Sequence, residues 1–275
     1  MRNLENRGAA VTGAASGIGR ALALCLAAEG CRVAISDVNE EGLAETGRLV
    51  GGKGVPVDCQ RVDVADRRAV HAWADRLAAE FGPLHLIFNN AAVLLNTTVE
   101  MASYEDLEWL MGVNFWGVVH GTKAFLPHLK KAGEGCVVNV SSIAGLVGVP
   151  RQAPYSASKF AVRGFTEALR QDLEIEGCGV TAISVHPGGV KTGIARSSRM
   201  GGEKVLGLDR DDIVDGFQRL ARLSADRAAR HIIRGVKRNR RRVLVGADAY
   251  VLDCIQRLFP AGHQRFMVRR ARPGR

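Results

Sequence analysis

The chain has 275 residues, of which 47% are hydrophobic and 24% charged. That balance suits a packed α/β domain and excludes wholesale disorder, and no run of about 18 apolar residues is present to form a transmembrane helix. The formal charge of +10 is uneven: residues 1–221 carry 23 basic and 25 acidic groups, residues 222–275 carry 15 and 3, which does not fit a nucleic-acid binder with a basic folded body.

The first seven residues, Met1-Arg2-Asn3-Leu4-Glu5-Asn6-Arg7, are polar and run straight into an apolar stretch. This argues against a signal peptide and for a cytoplasmic protein. Six cysteines (25, 31, 59, 136, 178, 254) are scattered with no C-x-x-C pair and no Cys/His cluster at metal spacing. Reduced core thiols are expected, and no metal site.

Strand-like runs fall at Ala9–Thr12, Arg32–Ser36, Val57–Val64, Leu84–Asn89, Cys136–Ser141, Val180–Val185 and Arg242–Gly246. Most are continuously apolar, as in a parallel sheet buried on both faces. Between them run helical patterns: Ile18, Leu22, Cys25 and Leu26 share one face, with Gly30 as a C-terminal stop. Val70, Trp73, Ala74 and Leu77 repeat the pattern before Phe81-Gly82-Pro83. The alternation predicts a single-domain, doubly wound, Rossmann-like parallel sheet of about seven strands with helices on both faces. Its ligand crevice lies along the C-terminal ends of the strands.

The first strand is followed by Thr12-Gly13-Ala14-Ala15-Ser16-Gly17-Ile18-Gly19 and then a helix. Glycine at 13 permits a tight turn, and glycines at 17 and 19 let the backbone approach a pyrophosphate facing the helix N–H groups. The second strand ends on Asp37, 24 residues after Gly13. A carboxylate there accepts from ribose hydroxyls and repels a 2′-phosphate, and neither Ser16 nor the residues directly after Asp37 are basic. NAD is therefore expected over NADP, although the same Asp also suits a helix N-cap. Asp63-Val64 and Asn89-Asn90-Ala91-Ala92 fall on the same rim, Asp63 within reach of an adenine amino group and the Asn pair suited to pinning the loop.

Tyr155 and Lys159 stand four apart at the start of a helix reaching about Glu176, hence on one face. An ammonium in a dry cleft, aided by a nicotinamide cation, lowers a phenol; bringing it from about 10 to near 7 takes roughly 4 kcal/mol. Ser141-Ser142 ends the fifth strand, 13 residues before Tyr155, and the intervening loop returns the chain so that Ser142 and Tyr155 face one site. A hydroxyl there orients a substrate oxygen while the tyrosine exchanges its proton.

Taken in order, Thr12-Gly13-x-x-x-Gly17-x-Gly19, Asp63, Asn89-Asn90-Ala91, Asn114, Ser142, Tyr155-x-x-x-Lys159 and Pro187-Gly188 resemble the short-chain dehydrogenase/reductase family over roughly residues 5–250. The resemblance implies that Tyr155 is the general acid/base, that Ser142 holds the carbonyl or alcohol oxygen, and that Lys159 binds the nicotinamide ribose and tunes Tyr155. It implies that Asn114 holds a relay water behind Lys159, and that Pro187 and Gly188 with Val190 and Thr192 clasp the nicotinamide and phosphates. The implied reaction is hydride transfer between NAD(H) and a secondary alcohol or ketone, in a homodimer or homotetramer. One position departs from the pattern: Ala92 stands where the family usually has Gly, beside the cofactor.

In the resembling proteins the segment after Pro187-Gly188, here about residues 190–222, covers the substrate; its glycines and serines suit a mobile lid. Leu94, Leu95, Ile143, Leu146 and Val149 are expected to form an apolar wall, favouring a medium-sized, partly apolar alcohol or ketone. Further on, Ser224 reads as an N-cap and Ala228, Ala229, Ile232, Ile233 and Val236 as a buried stripe with arginines outside. Arg242–Gly246 reads as a sheet edge, which in many resembling proteins lies next to a dimer contact. Ala249, Leu252, Ile255, Leu258 and Phe259 read as the apolar face of a last helix, ended by Pro260. The domain is thus placed at 1–260 and a basic tail at 261–275, with Arg265, Arg269, Arg270, Arg272 and Arg275. Three readings of that tail stand: a solvated terminus, a segment packed over the site or on a neighbouring subunit, or a contact with an anionic membrane surface or nucleic acid. A silent dinucleotide sensor on the same fold is the other alternative to an enzyme.

Overall fold

The computed structural model describes residues 1–271. Seven strands make one parallel sheet: β1 (Gly8–Thr12), β2 (Arg32–Asp37), β3 (Val57–Arg61), β4 (Leu84–Asn89), β6 (Gly135–Val140), β7 (Val180–Pro187) and β11 (Arg242–Val245), in the order β11-β7-β6-β4-β1-β2-β3. The chain winds outward from β1 to β3, then crosses back to β4 on the other side of β1. That reversal between β1 and β4 opens the crevice where a dinucleotide lies in such sheets.

Burial explains the continuous apolar runs. Every residue of β1, β4 and β6 is buried, because α1 (Gly17–Ala28) and α2 (Glu40–Gly51) cover one face and α3 (Arg67–Arg76), α5 (Gly117–Lys131) and α6 (Ala153–Glu176) the other. Fully burying one such Leu, Ile or Phe stabilises by about 1.5–3 kcal/mol. β3, on the edge, is only partly buried. It also ends at Arg61 and not at Val64, as the sequence pattern suggested. The chain turns away once Val62 N–H has bonded to Asp37 O at 3.2 Å, and Asp66 then caps α3 by accepting from the N–H groups of Arg68 and Ala69.

The C-terminal part adds α8 (Ala225–Lys237), with Ser224 as N-cap accepting from Arg227 N–H. Ala228, Ala229, Ile232, Ile233 and Val236 are buried in the same core as Leu22, Ala23 and Leu26 of α1. β11 lies on the sheet edge. In α9 (Ala247–Leu258) the expected apolar face is corrected: only Ala249 is buried, and Leu258 and Phe259 are 67% and 61% exposed. The reason is geometric: steps of three residues fall short of a helical turn by about 60° each, so Leu258 points opposite to Ala249. Beyond residue 260, His263–Ala271 is a helix, α10, with His263 buried and its end tied to the body where Arg151 Nη2 donates to Ala271 O at 2.8 Å. Arg272 and Arg275 lie outside the described residues. Cys59 and Cys254 are on the surface, not in the core, because β3 is an edge strand and Cys254 sits on the outward face of α9.

Candidate active site

The loop after β1 is built from close backbone approach. Gly13 has φ +67°, and a Cβ placed there would stand 2.6 Å from Ala91 Cα. At Gly19 a Cβ would run into the carbonyl of Gly13. Asn90 crosses from β4 and its side-chain amide donates to Thr12 O (2.9 Å) and Gly13 O (3.2 Å). Thr12 Oγ1 accepts in turn from the N–H groups of Asn90 and Ala91. Of the two asparagines, Asn90 pins the loop; Asn89 lies inside the sheet and donates to Asn139 Oδ1 (2.8 Å) and Thr122 Oγ1 (3.2 Å).

Ser16 stands at the α1 N-cap, but its hydroxyl makes no capping bond, and the first turn holds no acidic residue. The N–H groups of Gly17, Ile18 and Gly19 are therefore open to an anion, in a cradle that a single Cβ at Gly19 would fill. A nucleotide pyrophosphate fits these residues. Asp37 is not the cap of α2; Asn39 is. Asp37 Oδ2 accepts from Ala15 N–H at 2.9 Å and Oδ1 from Asn39 N–H at 3.0 Å, which fixes the carboxylate at the rim beside the loop. Arg20, overlooked in the sequence, reaches back to Ala15 O and to Gly42 O. Asp63 is exposed and accepts from Ala65 N–H, while Val64 beside it is buried.

The Pro187-Gly188 turn reaches the same cradle. Thr192 lies beside Gly17, 3.1 Å from where a Cβ would stand, and Val190 is buried in a short strand, β8 (Val190–Lys191), beside β10 (Leu223–Ser224). Asp248 of α9 accepts from Gly189 N–H at 2.6 Å and fills the space at Gly188. Nothing in the local sequence marks Asp248, because its target lies 59 residues upstream.

At the chemical end, Tyr155 is 8% exposed and Lys159 1%. Their four-residue spacing on α6 brings Lys159 Nζ to 5.7 Å from the Tyr155 ring centre. Lys159 Nζ donates to Val140 O at 3.1 Å, the Ser141 hydroxyl to Lys159 O at 2.8 Å, and Ser142 Oγ accepts from Ala144 N–H. Asn114, fully buried on a π-helical turn (Gly112–Trp116), explains the anomaly of an amide in an apolar stretch. It accepts from Val93 N–H (2.8 Å) and donates to Val93 O (2.9 Å) and Ser158 Oγ (3.3 Å), tying the segment after Ala92 to α6.

In the chain alone, burial pushes the Tyr155 phenol up, with the Ser142 hydroxyl pulling against it. Burial pulls Lys159 itself down to about 7. Both groups share one dry pocket, and desolvation disfavours the charged form of each.

Leu94, Leu95, Leu110, Ala144 and Tyr155 form one apolar cluster with Val149 and Ile194 against it. Of the expected wall, Leu94, Leu95 and Val149 are here, while Ile143 and Leu146 fall outside this cluster, because the short helical turn Ile143–Gly145 presents Ala144 to it instead. The segment 190–222 is tied down at several points. β9 (Arg199–Met200) pairs with β5 (Leu95–Asn96), and the Arg199 guanidinium stacks 3.6 Å above the Trp109 ring while bonding Asp106 at 2.8 Å. Arg151 Nε donates to Val205 O, so one side chain joins this segment to the end of α10.

Residues 7–202 match the sequence model of the short chain dehydrogenase family. A Mycobacterium tuberculosis protein named "Putative oxidoreductase SadH" is 45% identical over 269 residues, covering 98% of this chain and 96% of SadH. A cyclohexanol dehydrogenase of Acinetobacter is 36% identical over 190 residues, 68% of this chain and 74% of that protein. Among solved structures, a short-chain dehydrogenase/reductase from Burkholderia phymatum in complex with NAD superposes with a TM-score of 0.88 at 31% identity, covering 96% of this chain and 97% of that one.

Proposed function

The chain belongs to the short-chain dehydrogenase family and acts on CH–OH groups, and from that premise we propose that it transfers hydride between NAD, in preference to NADP, and a medium-sized, partly apolar secondary alcohol or ketone. The observation that carries this reading is the buried convergence of Tyr155, Lys159 and the β6 end at Ser142, beside the apolar Leu94–Leu95–Val149 cluster and across the crevice from the glycine cradle. The bound nicotinamide supplies the hydride acceptor or donor. Tyr155 exchanges the proton of the substrate oxygen, Ser142 holds that oxygen, Lys159 holds the nicotinamide ribose, and Asn114 supports the relay behind Lys159. Gly13, Ser16, Gly17, Ile18 and Gly19 receive the pyrophosphate, Asp37 the adenosine ribose, Asp63 and Val64 the adenine. Asn90, Ala91, Ala92, Pro187, Gly188, Val190 and Thr192 line the rest of the cofactor's path.

Apolar relatives' substrates support the substrate class, cyclohexanol being the plainest by name. The scattered cysteine spacing, with no C-x-x-C pair, suits a reducing, cytoplasmic setting. Tyr104, Trp116 on the turn leading into α5, and Phe160 on α6 are exposed and support a homo-oligomer. A panel of cyclic and acyclic secondary alcohols and ketones, run with both cofactors, tests the reading. Tyr155→Phe is expected to lose about a hundredfold or more in kcat while still quenching or shifting NADH fluorescence on binding. Turnover that survives this change sinks the catalytic assignment, and a wild type that binds NADH yet is inert on the whole panel favours a sensor. Asp37→Ala is expected to move preference about tenfold toward NADP; a wild type already preferring NADP overturns the cofactor reading.

A further inference from the structure

His186 stands at the end of β7, directly before the Pro187-Gly188 turn, and is fully buried. Both ring nitrogens are engaged: Nδ1 lies 3.0 Å from Ser142 O, and Nε2 lies 2.9 Å from Ser184 Oγ. A carbonyl only accepts, so Nδ1 carries the proton and donates to it. Burial takes this histidine down to about 4, so the ring is neutral at working pH and Nε2 accepts from the Ser184 hydroxyl. The tautomer is thereby fixed, Ser184 orienting the ring and the ring gripping Ser142.

The grip falls where the sheet stops doing that work. Pairing of β6 with β7 ends at Val140 and Val185, with one more bond from Ser141 N–H to Val185 O at 2.8 Å. Beyond it, the three residues leaving β6 are each held by a side chain. Lys159 holds the Val140 carbonyl, Ser141 bonds the Lys159 carbonyl, and His186 holds the Ser142 carbonyl. The first two attachments belong to the Tyr155 helix, whereas the third comes from the strand that leads into the cofactor turn. We infer that His186 is a positioning residue, which sets Ser142 against Tyr155 by holding its carbonyl and keeps that end of β6 in register with the Pro187-Gly188 turn. The inference rests on the proposed roles of Ser142 and Tyr155.

The test separates atoms that fill space from the one atom that donates. In His186→Asn the side-chain amide stands near the place of Nδ1 and can donate to Ser142 O. In His186→Gln it stands near Nε2, and in His186→Leu no donor remains. With NAD and the secondary alcohol that wild type turns over fastest, the Leu and Gln variants are expected to lose about ten- to a hundredfold in kcat, since small misplacements at a reacting centre carry such factors. Their KM for NAD and their NADH binding stay close to wild type, and the Asn variant recovers most of the loss. Melting temperatures measured alongside show whether activity merely follows stability. An unchanged kcat in His186→Leu overturns the inference, as does an Asn variant no better than Gln and Leu. Ser142→Ala is run in parallel: if it keeps wild-type kcat, the Ser142 assignment fails and this inference with it. If Ser142→Ala is crippled and His186→Leu is not, the inference alone fails.

Discussion

The nucleotide end of the crevice is held mainly by short polar groups acting on the main chain next to them in the sheet, with Arg20 as an exception, and the far side of the substrate end mainly by long side chains reaching across the surface. At the nucleotide end Thr12, Asp37 and Asn90 each sit at a strand terminus, and their partners are the N–H and C=O groups of the neighbouring loop. At the substrate end Arg199 spans to Asp106 and Trp109, and Arg151 to Val205 and Ala271. Main-chain cradles tolerate no added volume, since a buried glycine contact has no rotamer to yield. Long cation-bearing side chains are exposed at one end and lose a single interaction at a time, worth at most about 1 kcal/mol each. The first region should therefore fail abruptly under substitution and the second by degrees.

The largest effect is expected at Gly19. In Gly19→Val the first side-chain atom collides with the Gly13 carbonyl, and separating the two backbones costs about 2–3 kcal/mol, roughly a hundredfold in NADH affinity. Fluorescence titration of NADH measures it. Binding within threefold of wild type would mean the loop is soft, and the contrast between the two ends would collapse. Asp248→Ala should be milder. It removes the acceptor of the Gly189 N–H but adds no volume, so a loss of about 1 kcal/mol, or roughly fivefold in KM for NAD, is expected from initial rates. An effect as large as that at Gly19 would show that the nicotinamide turn is as rigid as the pyrophosphate loop.

The same contrast explains how much was legible in the sequence. The order of strands and helices and the glycine, Tyr155 and Lys159 positions follow from periodicity and fixed spacing, because helix and strand geometry ties them to neighbours a few residues away. The α8 stripe was legible for the same reason. Asp248, Arg151 and His186 were not, since each acts on a residue between 44 and 120 positions distant and has no local pattern. The α9 face misled because its apolar residues repeat every three positions, a spacing that drifts around a helix. Pair spacing shows the charge near the Tyr155 phenol but not the water that burial removes from both partners.

That desolvation yields the smallest effect. Lys159 is held near 7 in the folded chain against about 10.4 unfolded. A folded value below the unfolded one means that the unfolded state binds more protons through this window. The associated stability is fully present above the unfolded value and is lost as pH falls toward 7. Between pH 7 and 8 the gain amounts to about 1 kcal/mol, a rise of about 2–4 °C in Tm for a chain of this size. Burial also holds the thiols of Cys25, Cys31, Cys59 and Cys136 above and the imidazoles of His85 and His186 below their ordinary values, and since a Lys159→Met variant keeps all of these, its difference from wild type isolates the lysine. Melting curves of the cofactor-free wild type and of Lys159→Met decide the matter. The wild type should gain on the variant as pH rises from 7 to 8, and parallel curves would show that the Lys159 ammonium keeps enough water or partner charge to stay protonated in the fold.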